Sequence, residues 1–255
     1  MFRWKRLVAV ALAVIVAAGC SKSLRREQEL SGEQFYFDRG MEMMDKKNYP
    51  KAVEDFRIVV DSYASSSIVD HAQYMLAEAH FRQEEYLTAA FEYNRLYDNY
   101  PSSKFAPEAL YKKALCYFNE SPDPRLDQDN TLKAIDEFNR FIDTYPSNPL
   151  ADEAQKQIDE LYAKLAYKEY GSGQLYLKMK EYEAALIYFR YVISEYPRTI
   201  WAQYSRYGIG EVHYRRKEYG TAKSWFQLIV NADVDAELKN KAVKRLGNIE
   251  NNEKR

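Results

Sequence analysis

Apolar, aromatic and small residues recur along this chain in one register. Asn48-Tyr49-xx-Ala52-xxx-Phe56 returns as Glu85-Tyr86-xx-Ala89-xxx-Tyr93, as Glu181-Tyr182-xx-Ala185-xxx-Phe189 and as Glu218-Tyr219-xx-Ala222-xxx-Phe226. A further copy, Ala134-xxx-Phe138, has Thr131 in place of the tyrosine. Twelve residues before each alanine stands a small residue: Gly40, Ala77, Gly173 and Gly210, with Ala114 joining them once an eight-residue excess is allowed in the third copy. Three residues earlier again comes an aromatic: Phe37, Tyr74, Tyr111, Tyr170 and Tyr207. Pro101, Pro146 and Pro197 close three copies, each after a tyrosine, and Tyr63 holds that place in the first.

Apolar spacings of three and four within each half of the unit predict two helices per copy. A small residue on the first helix and an alanine on the second allow close approach, aromatics fill the space around them, and proline ends the second helix. One such hairpin cannot bury its own faces, so neighbours must stack. The spacings resemble the tetratricopeptide repeat, and the expected fold is all-α: a solenoid of five helix-turn-helix units with a long helix opening the fourth. The alanines lie 37, 45, 51 and 37 residues apart, beyond the usual period. Ser121–Asn130, with two prolines and three aspartates, reads as a polar loop inside the third unit. The excess in the fourth has no breaker, so Leu150 to Lys180 reads as one helix of about 31 residues. Asn148 is its expected cap, Pro149 lies near its first turn, and Ala154, Ile158, Leu161 and Leu165 form its apolar stripe. The expected divisions are 1–19 leader, 20–32 linker, 33–148 repeats one to three, and 149–250 repeats four and five.

The first twenty residues differ from the rest. Arg3, Lys5 and Arg6 precede an unbroken apolar run from Leu7 to Ala18, which is shorter than a spanning helix and suits a secretory signal. Val16-Ala17-Ala18-Gly19-Cys20 resembles the lipobox of bacterial lipoproteins, with Ala17 where that pattern has leucine. The resemblance implies lipidation at Cys20, and Ser21 after the cysteine implies an outer-membrane destination. Acyl chains then tether a water-soluble domain to the bilayer. With Cys20 acylated, Cys116 is the single free thiol, read as a buried structural cysteine.

The chain has 255 residues, 37 Lys+Arg against 38 Asp+Glu, and 46% hydrophobic side chains. That balance argues for a packed core and against nucleic-acid binding. The basic stretch Lys239, Lys241, Lys244 and Arg245 reads as a solvated helix face. His71, His80 and His213 are scattered, and His80 and His213 share one repeat position, so packing is expected of them rather than metal ligation. The chain carries no phosphate loop, nucleophile elbow or HExxH. The expectation is a non-enzyme with no metal and no cofactor beyond the lipid on Cys20.

First helices of stacked repeats line a groove suited to peptides. The candidate peptide-binding residues are Phe37, Met41, Met44, Tyr74, Glu78, Phe81 and Arg82. Lipobox, repeats and insertions together resemble the BamD family, the lipoproteins of the outer-membrane β-barrel assembly machinery. Leu126-Asp127-Gln128 to Thr131-xx-Ala134-xxx-Phe138 and Tyr145-Pro146-Ser147 carry this resemblance. So do Leu165-Ala166-xx-Glu169-xxx-Gly173-xx-Tyr176 to Tyr182-xx-Ala185 and Glu195-Tyr196-Pro197. It implies a non-catalytic scaffold at the periplasmic face of the outer membrane, docking on the periplasmic domains of a BamA-like barrel subunit mainly through the C-terminal repeats. Other assembly-complex lipoproteins, and unfolded outer-membrane proteins engaged nearer the N-terminus, are the further implied partners. The alternative is another tetratricopeptide envelope lipoprotein, a secretin pilotin or a cell-division scaffold.

Overall fold

A computed structural model describes residues 32–253, and every regular element among them is an α-helix. The leader and Cys20 lie outside the described residues. The chain divides after Glu120 into two compact units. The first holds α1 (Gly32–Asp45), α2 (Tyr49–Ser62), α3 (Val69–Arg82), α4 (Tyr86–Asn99) and α5 (Ala106–Asn119). The second holds α6 (Asp129–Thr144), α7 (Ala151–Met179), α8 (Tyr182–Glu195), α9 (Ile200–Arg215), α10 (Tyr219–Asn231) and α11 (Ala236–Glu253). Within each unit every helix packs on the next, and in the second α9 also touches α7 and α11. These are tetratricopeptide-type hairpins, stacked as the repeat register requires.

Side chains of α7 account for the place of segment 121–128 in the second unit. Lys164 Nζ donates to the backbone oxygen of Ser121 at 3.0 Å and to its hydroxyl at 2.7 Å. Lys168 Nζ donates to the Leu126 oxygen at 2.9 Å. Buried Gln128 donates to the oxygens of Asp123 and Leu126, both at 3.0 Å, and accepts from the Thr131 hydroxyl at 2.8 Å. Thr131 replaces the repeat tyrosine because it closes this loop. Segment 121–128 is therefore fastened to the helices that follow it.

Each hairpin turn in copies one, two, four and five is built alike. Lys47, Glu84, Lys180 and Lys217 take φ of 57°, 61°, 65° and 61°. The residue after each donates its N–H five positions back: Asn48 to Met43, Glu85 to His80, Glu181 to Tyr176, Glu218 to His213. This is the six-to-one closure of a helix end, which needs a left-handed residue and here uses lysine or glutamate instead of glycine.

The close approach expected between paired helices is made by an aromatic ring. A Cβ added at Gly40 would meet Phe56 at 2.7 Å, at Gly173 Phe189 at 2.6 Å, and at Gly210 Phe226 at 2.7 Å. All three phenylalanines are fully buried. The helix expected from Leu150 to Lys180 runs from Ala151 to Met179, 29 residues. Asn148 is not its cap. The Asn148 side-chain oxygen accepts from the Leu150 N–H at 2.9 Å, and its backbone oxygen accepts from the Ala151 N–H, also at 2.9 Å. It shapes the preceding turn, and Pro149 lies before the helix. The stripe Ala154, Ile158, Leu161 and Leu165 is buried as expected.

Candidate functional site

The seven residues expected to line a peptide groove fall in the first unit, and the structure does not present them as one surface. Phe37, Tyr74 and Glu78 are buried. Phe37 meets Phe56 at 5.7 Å, and Tyr74 stacks on Phe105 at 5.0 Å. Met41 and Met44 are half-buried against the core of the first hairpin, and Phe81 against that of the second. Arg82 is exposed and ion-paired to Glu78. The helix face that begins at each aromatic turns into the packed interior, so the aromatic side chains there serve packing.

Glu78 is the centre of a buried charged nest. It accepts from the Tyr93 hydroxyl at 2.7 Å, from Arg82 Nε at 2.8 Å and from Lys112 Nζ at 3.2 Å. The Lys112 ammonium also lies 4.7 Å from the Phe81 ring centroid. Burial alone would raise the Glu78 pKa, but these three donors outweigh it and hold the carboxyl below its ordinary range. Burial, with Glu78 beside it, pushes the Tyr93 hydroxyl strongly up, so it stays a donor. Part of this constellation recurs in the second unit, where Phe226 stands in the place of Tyr93. Arg245 pairs with Glu211 through both carboxylate oxygens, its second nitrogen at 2.9 Å, and lies 4.8 Å from the Tyr214 ring. Arg245 therefore leaves the solvated face expected of the basic stretch; Lys239, Lys241 and Lys244 are exposed.

His80 Nδ1 meets Glu85 at 2.6 Å and His213 Nδ1 meets Glu218 at 2.5 Å, each glutamate standing at the N-terminus of the following helix. His71 lies between the rings of Phe37, at 4.7 Å, and Phe105, at 4.6 Å. Burial, then Lys104, lowers its pKa against the opposing pull of Asp70. Cys116 is buried, and desolvation pushes its thiol up to about 12. Among the described residues no group of three or more His, Cys, Asp or Glu is placed to hold a metal ion. No helix among them is long and apolar enough to cross a membrane.

Large apolar side chains remain exposed elsewhere in both units. In the first unit Leu87 and Phe91 of α4 are 54% and 61% exposed, one turn apart. In the second, Leu175 and Met179 of α7 and Ile187 and Tyr191 of α8 are exposed in pairs of the same spacing. A spacing of four was visible in the sequence, but it also describes buried stripes, so the pattern gave no means of separating the two.

A family model described as "Outer membrane lipoprotein", YfiO, matches residues 29–224. The outer membrane protein assembly factor BamD of Caulobacter vibrioides is 28% identical over 204 residues, 78% of this chain and 67% of that protein. Its namesake in Rickettsia prowazekii is 26% identical over 195 residues, 76% of this chain and 78% of that protein. A putative BamD of Aquifex aeolicus is 32% identical over 196 residues, 76% of this chain and 64% of that protein. Among solved structures, a tetratricopeptide repeat protein from Parabacteroides merdae aligns with a TM-score of 0.39 and 14% identity, over 85% of this chain and 88% of that one. With its family pattern spanning both helical units, this chain belongs to the YfiO family of outer membrane lipoproteins.

Proposed function

We propose that this chain is a non-catalytic scaffold of the outer-membrane protein assembly complex, held at the periplasmic face of the outer membrane by a lipid on Cys20. The observation that carries this reading is the family match over residues 29–224, with relatives named as assembly factors. In this reading the second unit docks the periplasmic domains of a BamA-like barrel subunit, and the exposed Ile187 and Tyr191 of α8 supply apolar contact. The first unit holds segments of unfolded outer-membrane proteins against Leu87 and Phe91. Other lipoproteins of the complex attach to the same scaffold.

Affinity capture of the full-length protein from solubilised membranes tests the assignment. The expected result is recovery of the barrel subunit, lost when Ile187 and Tyr191 are both changed to Asp. Recovery of a secretin without that subunit would overturn it in favour of a pilotin. Cys20→Ala should release the protein into the soluble periplasm, and unchanged membrane association would remove the anchor from the scheme.

A further inference from the structure

The added turns of α7 run beside the α8–α9 connection and leave a groove of about 470 Å³ within the second unit. Tyr162 of α7 and Tyr196 at the end of α8 pack on each other along one wall of it, with centroids 6.1 Å apart and planes inclined by 46°. The Tyr191 ring meets Tyr196 edge-on, also at 6.1 Å. Around the rings stand Gln155, Asp159, Glu195 and Arg198, all exposed. Asp159 uses one oxygen to accept from Gln155, at 3.1 Å, and Glu195 uses one to accept from Ser194, at 3.0 Å. Each carboxylate keeps a second oxygen for a ligand. Arg198 is exposed, and no ion pair or hydrogen bond engages its side chain among the described residues.

Part of the backbone here is already engaged. Tyr196 donates its N–H to Val192, Pro197 has none, and Thr199 donates to Tyr196 through both N–H and hydroxyl. The side chains supply the directional groups. A cation would meet Arg198, and an anion would meet Asp159 and Glu195, so the rim favours a ligand without net charge. It must have an apolar face to lie on a phenol ring and directional groups around its edge that both donate and accept. A pyranose ring has both, with C–H bonds on its face and hydroxyls at its rim. The volume falls in the range of small-ligand clefts, about 300–1,000 Å³.

We propose that this groove binds an uncharged oligosaccharide, one sugar ring lying on Tyr162 and its hydroxyls shared among Asp159, Glu195 and Arg198. Tyr191 borders this groove and also belongs to a pair assigned above to protein docking, whereas Tyr162, Asp159 and Arg198 belong to none of those pairs.

Titration calorimetry on the full-length protein in a sugar-free detergent tests this, with a tetramer of N-acetylglucosamine and maltotetraose as probes. Saturable binding of at least one probe is expected. Tyr162→Ala and Asp159→Asn should each weaken it about tenfold, or 1.4 kcal/mol, while Tyr162→Phe retains it. Circular dichroism establishes that each variant is folded, and capture of the barrel subunit by Tyr162→Ala should be unchanged. Absence of saturation with both probes, or binding that Tyr162→Ala leaves intact, overturns the proposal.

Discussion

The first two hairpins of the first unit fill the same register with different chemistry. Where the second has Glu78, Phe81 and Lys112, the first has Met41, Met44 and Met75, each 37 positions earlier. Where the second hairpin places Tyr93, the first places Phe56, and both rings are fully buried. The methionine nest is held by burial and adaptable side chains, and its energy depends little on angle or pH. The charged nest needs every partner in place, because a carboxylate buried without donors would cost several kcal/mol. Its reward is direction: three donors converge on one carboxylate and tie α3 to both α4 and α5. The recurrence as Glu211, Tyr214 and Arg245, 133 positions on, shows that the repeat geometry accommodates either solution. A backbone register therefore does not choose its filling.

The largest effect separating the two hairpins should come from the ring they share in place. Phe56→Ala removes a fully buried phenylalanine lying against Gly40 and should cost about 3–5 kcal/mol in thermal unfolding. A loss under 1 kcal/mol would mean that the ring is not wedged as described. Next comes Glu78→Gln, expected to cost about 2 kcal/mol at neutral pH by weakening charge-assisted bonds. The carboxyl titrates below its ordinary range when folded, so its stabilisation is complete above the ordinary glutamate pKa. That stabilisation disappears as pH falls through the lowered folded value. Stability curves between pH 7 and pH 3 should thus have a shallower acid limb in Glu78→Gln than in the parent. An identical limb would contradict the nest. Met41→Leu, at the matching place in the first hairpin, should cost less than about 1.5 kcal/mol and leave the pH profile unmoved. Smallest of all, Lys47→Gly and Glu84→Gly relieve a left-handed residue in each turn and should each stabilise by about 0.5–1 kcal/mol, equally in the two hairpins. Destabilisation of either would show that the side chain at that turn makes a contact of its own.

Much of this architecture was legible before any coordinates. Five aromatic, small and Ala-xxx-aromatic sets specify helix pairs because a 3.6-residue period puts those positions on one face, and proline marks where a helix must stop. The long α7 followed from the lack of any breaker, and its buried stripe from four apolar residues in phase. Exposure was not legible in the same way. Phe37, Tyr74 and Glu78 carry the same spacing whether their face meets water or a neighbouring helix, and periodicity is silent on which.

By itself the sequence determined the helices, their pairing, the family and the place of the insertion, since each rests on local spacing along one chain. Tertiary structure alone decided where the chain divides, that Arg245 leaves the basic face for Glu211, and that Tyr162 and Tyr196 share one groove. Those outcomes depend on partners tens of residues away. An ionic bond or a stacked ring is fixed by distance in space, and no one-dimensional pattern carries that distance.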